Sequence, residues 1–189
     1  MLNISFLGEQ VIADSTGAVR TRSSRSVELV AFLIVHAGSP QSRQRIAAML
    51  WPDSTDPQAL TNLRRELHHL RNVLSDDLSL RVTAKDLCWY DTDTCRVDVR
   101  VFQNERQAAL AASRSGDDDG VLQHAAAALD QYRGEFLPAG VDDWLLETRE
   151  ILEGQCVDLL DLNCRTMTRT GDLTEALAVA RRRIQLRPL

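Results

Sequence analysis

The stretch TNLRRELHHLRNVL, residues 61–74, gathers Arg64, Arg65, His68, His69 and Arg71 around one carboxylate, Glu66. Leu60, Leu63, Leu67, Leu70 and Leu74 recur at alternating steps of three and four, which makes a helix with one buried stripe. On a helical wheel Gln58, Thr61, Asn62, Arg65, His69 and Asn72 lie opposite that stripe, with His68 beside them. Arg64 and Arg71 fall at its margin, and Glu66 lies on one flank. The outward face therefore offers hydrogen-bond donors and a cation but no carboxylate. That chemistry fits the major groove of DNA, where arginine bonds guanine in pairs and Asn or Gln does the same with adenine. Arginines at the margin would meet phosphates on the groove walls.

Other chemistry is weaker. Neighbouring histidines on a helix point about 100° apart, so His68 and His69 are poor joint metal ligands, and no HExxH or third ligand accompanies them. Their protonation at low pH would add positive charge to the same face. Asp117, Asp118 and Asp119 lack the spacing and terminal Glu of a calcium loop and read as acids at the positive end of a helix. Arg181, Arg182 and Arg183 sit where cations favour a helix C-terminus. Trp51 and Pro52 are expected to pack and to end a helix. Asp142, Asp143, Glu147, Glu150 and Glu153 scatter around a helix as a solvated set. No phosphate-binding loop, GxSxG elbow or paired catalytic motif occurs, so no enzyme, catalytic residue, cofactor or metal is expected.

Charge agrees with a division of labour. The chain of 189 residues carries net −5, yet residues 1–100 balance at 12 basic and 12 acidic, while residues 101–189 hold 10 and 15. Between residues 20 and 71, eight arginines face four acids. A locally basic unit joined to an acidic one implies two jobs. No run of apolar residues reaches membrane-spanning length, and MLNISFLGEQ lacks the basic start and cleavage site of a signal peptide. Cys88, Cys95, Cys156 and Cys164 form no CxxC pair, so free thiols in a reducing cytoplasm are expected.

The elements that must hold the basic helix read in order. NISFLG, QVIA and AVRTR read as short strands, the last two separated by the turn DSTG. Residues 23–38 read as an apolar helix stopped by Gly38 and Pro40. SRQRIAAMLWP is a shorter helix with Ser42 as N-cap and Pro52 as stop. The basic helix spans 57–74, with Asp56 as cap and Pro57 in its first turn. LSLRVTAKDLCWYD then reads as a hairpin over 78–92, carrying Arg81, Thr83 and Lys85. Strand character ends near Cys95, and helices follow at about 99–114, 120–132, 142–168 and 172–186, interrupted by GEFLPAG. Residues 1–96 and 97–189 are the expected domains. Gly171, Ala176, Leu177, Ala180 and Pro188 resemble the second helix of a tetratricopeptide unit. A chain stopping there reads as the N-terminal part of a longer regulator.

A basic helix preceded by a short helix and turn and followed by a hairpin has the layout of a winged helix-turn-helix. The chain resembles the SARP/AfsR-type transcriptional regulators at FLG (6–8), VELVAFLIVHAGSPQSRQRIAAMLWPD (27–53), NLRRELHHLRNVL (62–74), VDVRVF (97–102), YRGEFLPA (132–139) and DDWLLETRE (142–150). The first half is similar to the OmpR/PhoB-type output domain, the second to the bacterial transcriptional activator domain. The wing differs by having no glycine in AKDLCWYD, so an atypical turn is expected at its tip.

The fold class implied is an α+β winged helix-turn-helix followed by an all-α, tetratricopeptide-like domain. The function implied is sequence-specific binding of double-stranded promoter DNA by a transcriptional regulator, with activation the expected direction. Gln58, Thr61, Asn62, Arg64, Arg65, His68, His69, Arg71 and Asn72 would face the major groove, and Arg81, Thr83 and Lys85 would serve as wing contacts. The resemblance further implies communication with RNA polymerase and a homodimer on DNA, in the cytoplasm at the nucleoid and away from membranes. The rival reading is a protein-interaction adaptor whose winged helix no longer binds DNA.

Overall fold

The computed structural model describes residues 1–75, 77–140 and 142–186. The chain packs as two compact units, one of Met1–Ser5 with Gln10–Val97, and a second of Phe6–Glu9 with Asp98–Leu189.

The first unit mixes strands and helices. Strands β1 (Leu2–Ser5), β2 (Val11–Asp14) and β3 (Val19–Thr21) form an antiparallel meander, and β7 (Cys95–Val97) adds in parallel beside β1, giving the order β3-β2-β1-β7. Leu2 and Ile4 alternate inward along β1 as a half-buried strand requires. Helix α1 (Ser24–Val35) is buried on nearly every side, from Val27 through Ile34. Short strand β4 (Gln41–Ser42) leads into α2 (Arg43–Leu50), followed by α3 (Asp56–Leu74). Strands β5 (Leu80–Val82) and β6 (Asp86–Trp89) pair as a hairpin, and β4 completes the sheet β4-β6-β5.

Four helices make the second unit: α4 (Asp98–Ser115), α5 (Asp118–Gln131), α6 (Asp143–Thr170) and α7 (Leu173–Leu186). Short links join α4 to α5 and α6 to α7 as two helical hairpins. Ala109, Ala125 and Ala128 are fully buried, and such small side chains let paired helices approach closely. Asp117 caps α5 by accepting a hydrogen bond from Gly120 N at 2.9 Å, and Asp118 pairs with Arg169. Arg182 donates to the carbonyls of Leu129 at 2.9 Å and Tyr132 at 2.7 Å, satisfying groups left open where α5 ends. Arg183 pairs with Asp161 at 3.4 Å.

Segment Phe6–Glu9 bridges to the loop after α5 through Leu7 and Phe136. Gly8 has φ +90°, and a Cβ there would meet the Arg133 backbone at 3.0 Å, so glycine is required. Asp98 Oδ2 accepts from Phe6 N and Leu7 N, both at 2.8 Å, while Oδ1 accepts from Val99 N at 2.7 Å. Burial pushes this carboxyl up to about 6, against the opposing pull of those three N–H groups. Arg149 clamps the loop by donating to the carbonyls of Phe136 at 2.7 Å, Gly140 at 2.8 Å and Leu137.

The sequence expectations need several corrections. NISFLG is not one strand: β1 stops at Ser5, because Phe6 and Leu7 give their N–H groups to Asp98. RVDVRVF does not turn at once into helix, since β7 claims Cys95–Val97 through pairing with β1. Two-residue β4 carried no periodic signal. Ser42 takes the expected N-cap position, whereas Asp56 does not. Ser42 stands at the N-cap of α2 without a side-chain cap bond, and α3 begins at Asp56 with Thr55 before it. Leu177 is 53 % exposed, while Ala176 beside it is buried. Gly171, with φ +92°, closes α6 in the left-handed conformation. Pro188 lies outside the described residues. Among the described residues no helix is long and apolar enough to cross a membrane.

Candidate nucleic-acid interface

Helix α3 is held by its apolar side. Ala59, Leu63, Leu67, Leu70, Val73 and Leu74 are buried. Leu60 is only half-buried and lines a cavity of about 350 Å³ against Ala47 and Ala48 of α2. The buried face is thus rotated from the leucine stripe toward Ala59 and Val73. Glu66 lies on that same side. Its carboxylate accepts a hydrogen bond from Ser26, a fully buried residue of α1. The one carboxylate within residues 57–74 is thereby drawn toward the body of the unit.

The outward side carries what the sequence placed there. Gln58, Arg64, Arg65, His68, His69, Arg71 and Asn72 are exposed, and Thr61 and Asn62 are half-exposed. Among the described residues Arg64, Arg65 and Arg71 have no ion pair. Among the described residues, three cations and two histidines of this face are thus without an ion pair. Two polar groups are internally engaged: Gln58 Nε2 donates to Asn62 Oδ1 at 3.1 Å, and Thr61 Oγ1 donates to Pro57 O at 2.8 Å.

The hairpin presents the second group. Arg81, Thr83 and Lys85 are exposed. Arg81 lies over the Tyr90 ring, 4.6 Å from its centroid, which steadies the guanidinium. A hydrogen bond and charge interaction with Cys88 hold the Tyr90 hydroxyl above its usual pKa. The tip turns without glycine because Thr83 does the organising. Its hydroxyl accepts from Asp86 N at 2.9 Å and Lys85 N at 3.3 Å, and donates to Asp86 O at 3.1 Å. The hydroxyl is therefore spent on the turn, which leaves Arg81 and Lys85 as the outward groups. At the base, Asp77 accepts from Ser79 N at 2.8 Å and Thr94 Oγ1 at 2.6 Å. Burial works against the Asp77 charge, but these bonds outweigh it and hold the carboxyl below its ordinary range.

Sequence reasoning missed the residues that brace this surface. Arg43, at the start of α2, donates its guanidinium to Thr83 O at 3.1 Å and its backbone N–H to Lys85 O at 2.9 Å, tying the helix pair to the hairpin tip. Ser26 was equally invisible. A serine inside an apolar helix carries no local signal of a partner 40 residues away. Among the described residues no cluster of three metal-ligating side chains occurs, and all four cysteines are free.

Residues 97–189 match the family model of the bacterial transcriptional activator domain. No curated protein sequence matches the chain. The fold is similar to that of a solved structure described as Mycobacterium tuberculosis EmbR in complex with low affinity phosphopeptide. The TM-score is 0.66 at 16 % identity, over 97 % of this chain and 59 % of that one. This chain therefore spans about three-fifths of the length of that relative.

Proposed function

We propose that this chain is a SARP-type transcriptional regulator that binds promoter DNA in a sequence-specific way and activates transcription, a reading supported by the activator-domain match over residues 97–189. Residues 1–96 act as a winged helix-turn-helix, with α3 in the major groove and the 78–92 hairpin as wing. Residues 97–189 act as the activator domain. One observation carries this reading: the outward side of α3 exposes Arg64, Arg65, His68, His69 and Arg71, while Glu66 is turned toward Ser26. A helix whose sole interior carboxylate is held aside meets phosphates without local repulsion.

One such helix spans only a few base pairs, so a homodimer on repeated half-sites extends the site and raises specificity. The helical domain contacts RNA polymerase, and the protein works in the cytoplasm at the nucleoid, without enzymatic turnover. The deciding experiment is an unbiased selection of bound duplexes by the purified chain, followed by gel shifts at two salt concentrations. A recovered consensus bound with a steep salt slope is the expected result. Equal, weak retention of every duplex would overturn it and favour the adaptor reading, in which the helical domain alone holds a protein partner.

A further inference from the structure

The polar groups at the start of α3 are not all equally available. Gln58 and Asn62 stand one turn apart and are joined side chain to side chain at 3.1 Å. Each primary amide brings one carbonyl and one NH2 group. Their mutual bond engages a donor of one residue and an acceptor of the other. Turning both amides over reverses the direction of the bond but not the outcome. In either sense one residue keeps a free carbonyl and its partner a free NH2. The pair thus sets a free carbonyl beside a free NH2 group, and their mutual bond fixes both in advance at little further entropic cost.

The major-groove edges of the four bases differ in what they ask for. Guanine shows two acceptors, cytosine a single donor, and thymine an acceptor and a methyl group. Adenine shows one acceptor, N7, and one donor, N6–H. Adenine is the base whose edge asks for an acceptor and a donor side by side, which the free carbonyl and free NH2 of the joined amides supply together. Thr61, between them in sequence, supports the same choice. Its hydroxyl proton goes to Pro57 O at 2.8 Å, so its methyl is the group left to meet a thymine methyl. Gln58, Thr61 and Asn62 also occupy the first two turns of α3, the part of a recognition helix that meets base edges.

We infer that Gln58 and Asn62 act together as one composite reader of an adenine, setting an A·T pair within the site. Arg65, about one turn further along, then reads a separate position. The inference rests on the DNA-binding reading of α3 and sharpens it. It also makes a distinction that a lone amide does not: removing either partner should flatten the preference, because the amide left behind loses the bond that holds it in place for the edge. Both groups are neutral and release no counterions, so their loss should leave the salt slope unchanged.

The test is parallel duplex selection with the full chain and with Gln58→Ala, Asn62→Ala and Arg65→Ala. Both outward substitutions keep a good helix former, and circular dichroism checks that each variant folds. The expected result is one A·T column in the wild-type consensus that flattens by roughly 5- to 150-fold in both amide variants. All other columns and the salt slope stay as they were, and Arg65→Ala changes a different column. An A·T column that survives Gln58→Ala overturns the composite reader while leaving DNA binding intact. A wild-type consensus with no A·T column that either amide variant alters overturns it too. A wild-type selection with no consensus at all removes the DNA-binding reading and this inference with it.

Discussion

The buried hydroxyl of Ser26 on α1 donates a hydrogen bond to the carboxylate of Glu66 on α3. This contact joins two helices and also decides which charge α3 shows. Hydrogen bonds to charged groups are worth more than neutral ones, but the half-buried Glu66 can recruit water when its partner is lost. Ser26→Ala should therefore lower unfolding free energy by about 1–2 kcal/mol, read as a shifted urea midpoint at constant slope. The same variant should bind DNA more weakly, because the freed carboxylate stands nearer the phosphates. Unchanged stability and affinity would remove the role given to this pair.

The three exposed arginines of α3 should separate by their position on the helix. Arg65 lies opposite the buried side, so Arg65→Ala should cost about 1–3 kcal/mol on the selected site and relax one base position. Equal weakening on every duplex would make it a phosphate contact instead. Arg64 and Arg71 lie at the margins, so alanine at either should weaken all duplexes alike and reduce the salt slope by about one charge. A salt titration parallel to that of wild type would exclude a phosphate contact.

Much of this arrangement is legible in the order of residues, for physical reasons that also mark the limit. Helix α3 announces itself because its leucines repeat at helical spacing and Pro57 sets its start. The small rotation that half-exposes Leu60 and buries Val73 is not in that pattern, since it depends on where α1 packs. The hairpin was readable from its β-rich runs, yet its tip was not. Thr83 replaces the missing glycine through three hydrogen bonds to residues 85 and 86, a solution that composition does not reveal. Strand β7 escaped because three residues give no periodicity, and their partner β1 lies at the opposite end of the unit's sequence. The candidate face was legible residue by residue, but the Gln58–Asn62 bond and the withdrawal of Glu66 are tertiary or rotameric facts.

Arg149 tests how the second unit is held. Its guanidinium serves the carbonyls of Phe136, Leu137 and Gly140, and its Nε lies 3.3 Å from Glu135. A planar fork can reach several acceptors at once, whereas an ammonium group is a compact point charge. Arg149→Lys should thus fail to rescue the loop. A loss of about 2–4 kcal/mol in unfolding free energy is expected, near that of Arg149→Ala, because the buried Phe136 and Gly140 carbonyls lose this donor, while Leu137 O keeps the Gly140 N–H at 3.0 Å. Lysine restoring wild-type stability would show that charge alone, through Glu135, holds this segment.

Asp98 carries a prediction whose sign follows from its environment. Burial pushes its folded pKa up to about 6, above the roughly 3.9 of an unfolded aspartate. Between those values the folded state holds a proton that the unfolded state has lost, so stability must fall as pH rises. The contribution is complete below about pH 4 and gone once pH passes the folded pKa. Asp98→Asn cannot titrate there, and its NH2 group cannot accept at all, whereas the protonated carboxyl still has acceptor capacity on its oxygens for Phe6, Leu7 and Val99. The variant should be less stable than wild type at low pH, with the gap narrowing by about 2–3 kcal/mol between pH 4 and pH 7. Urea unfolding of both proteins across that range measures the gap directly. A gap that widens with pH would mean that the three N–H donors outweigh burial and that Asp98 is held as an anion at the start of α4, where the helix dipole also favours negative charge.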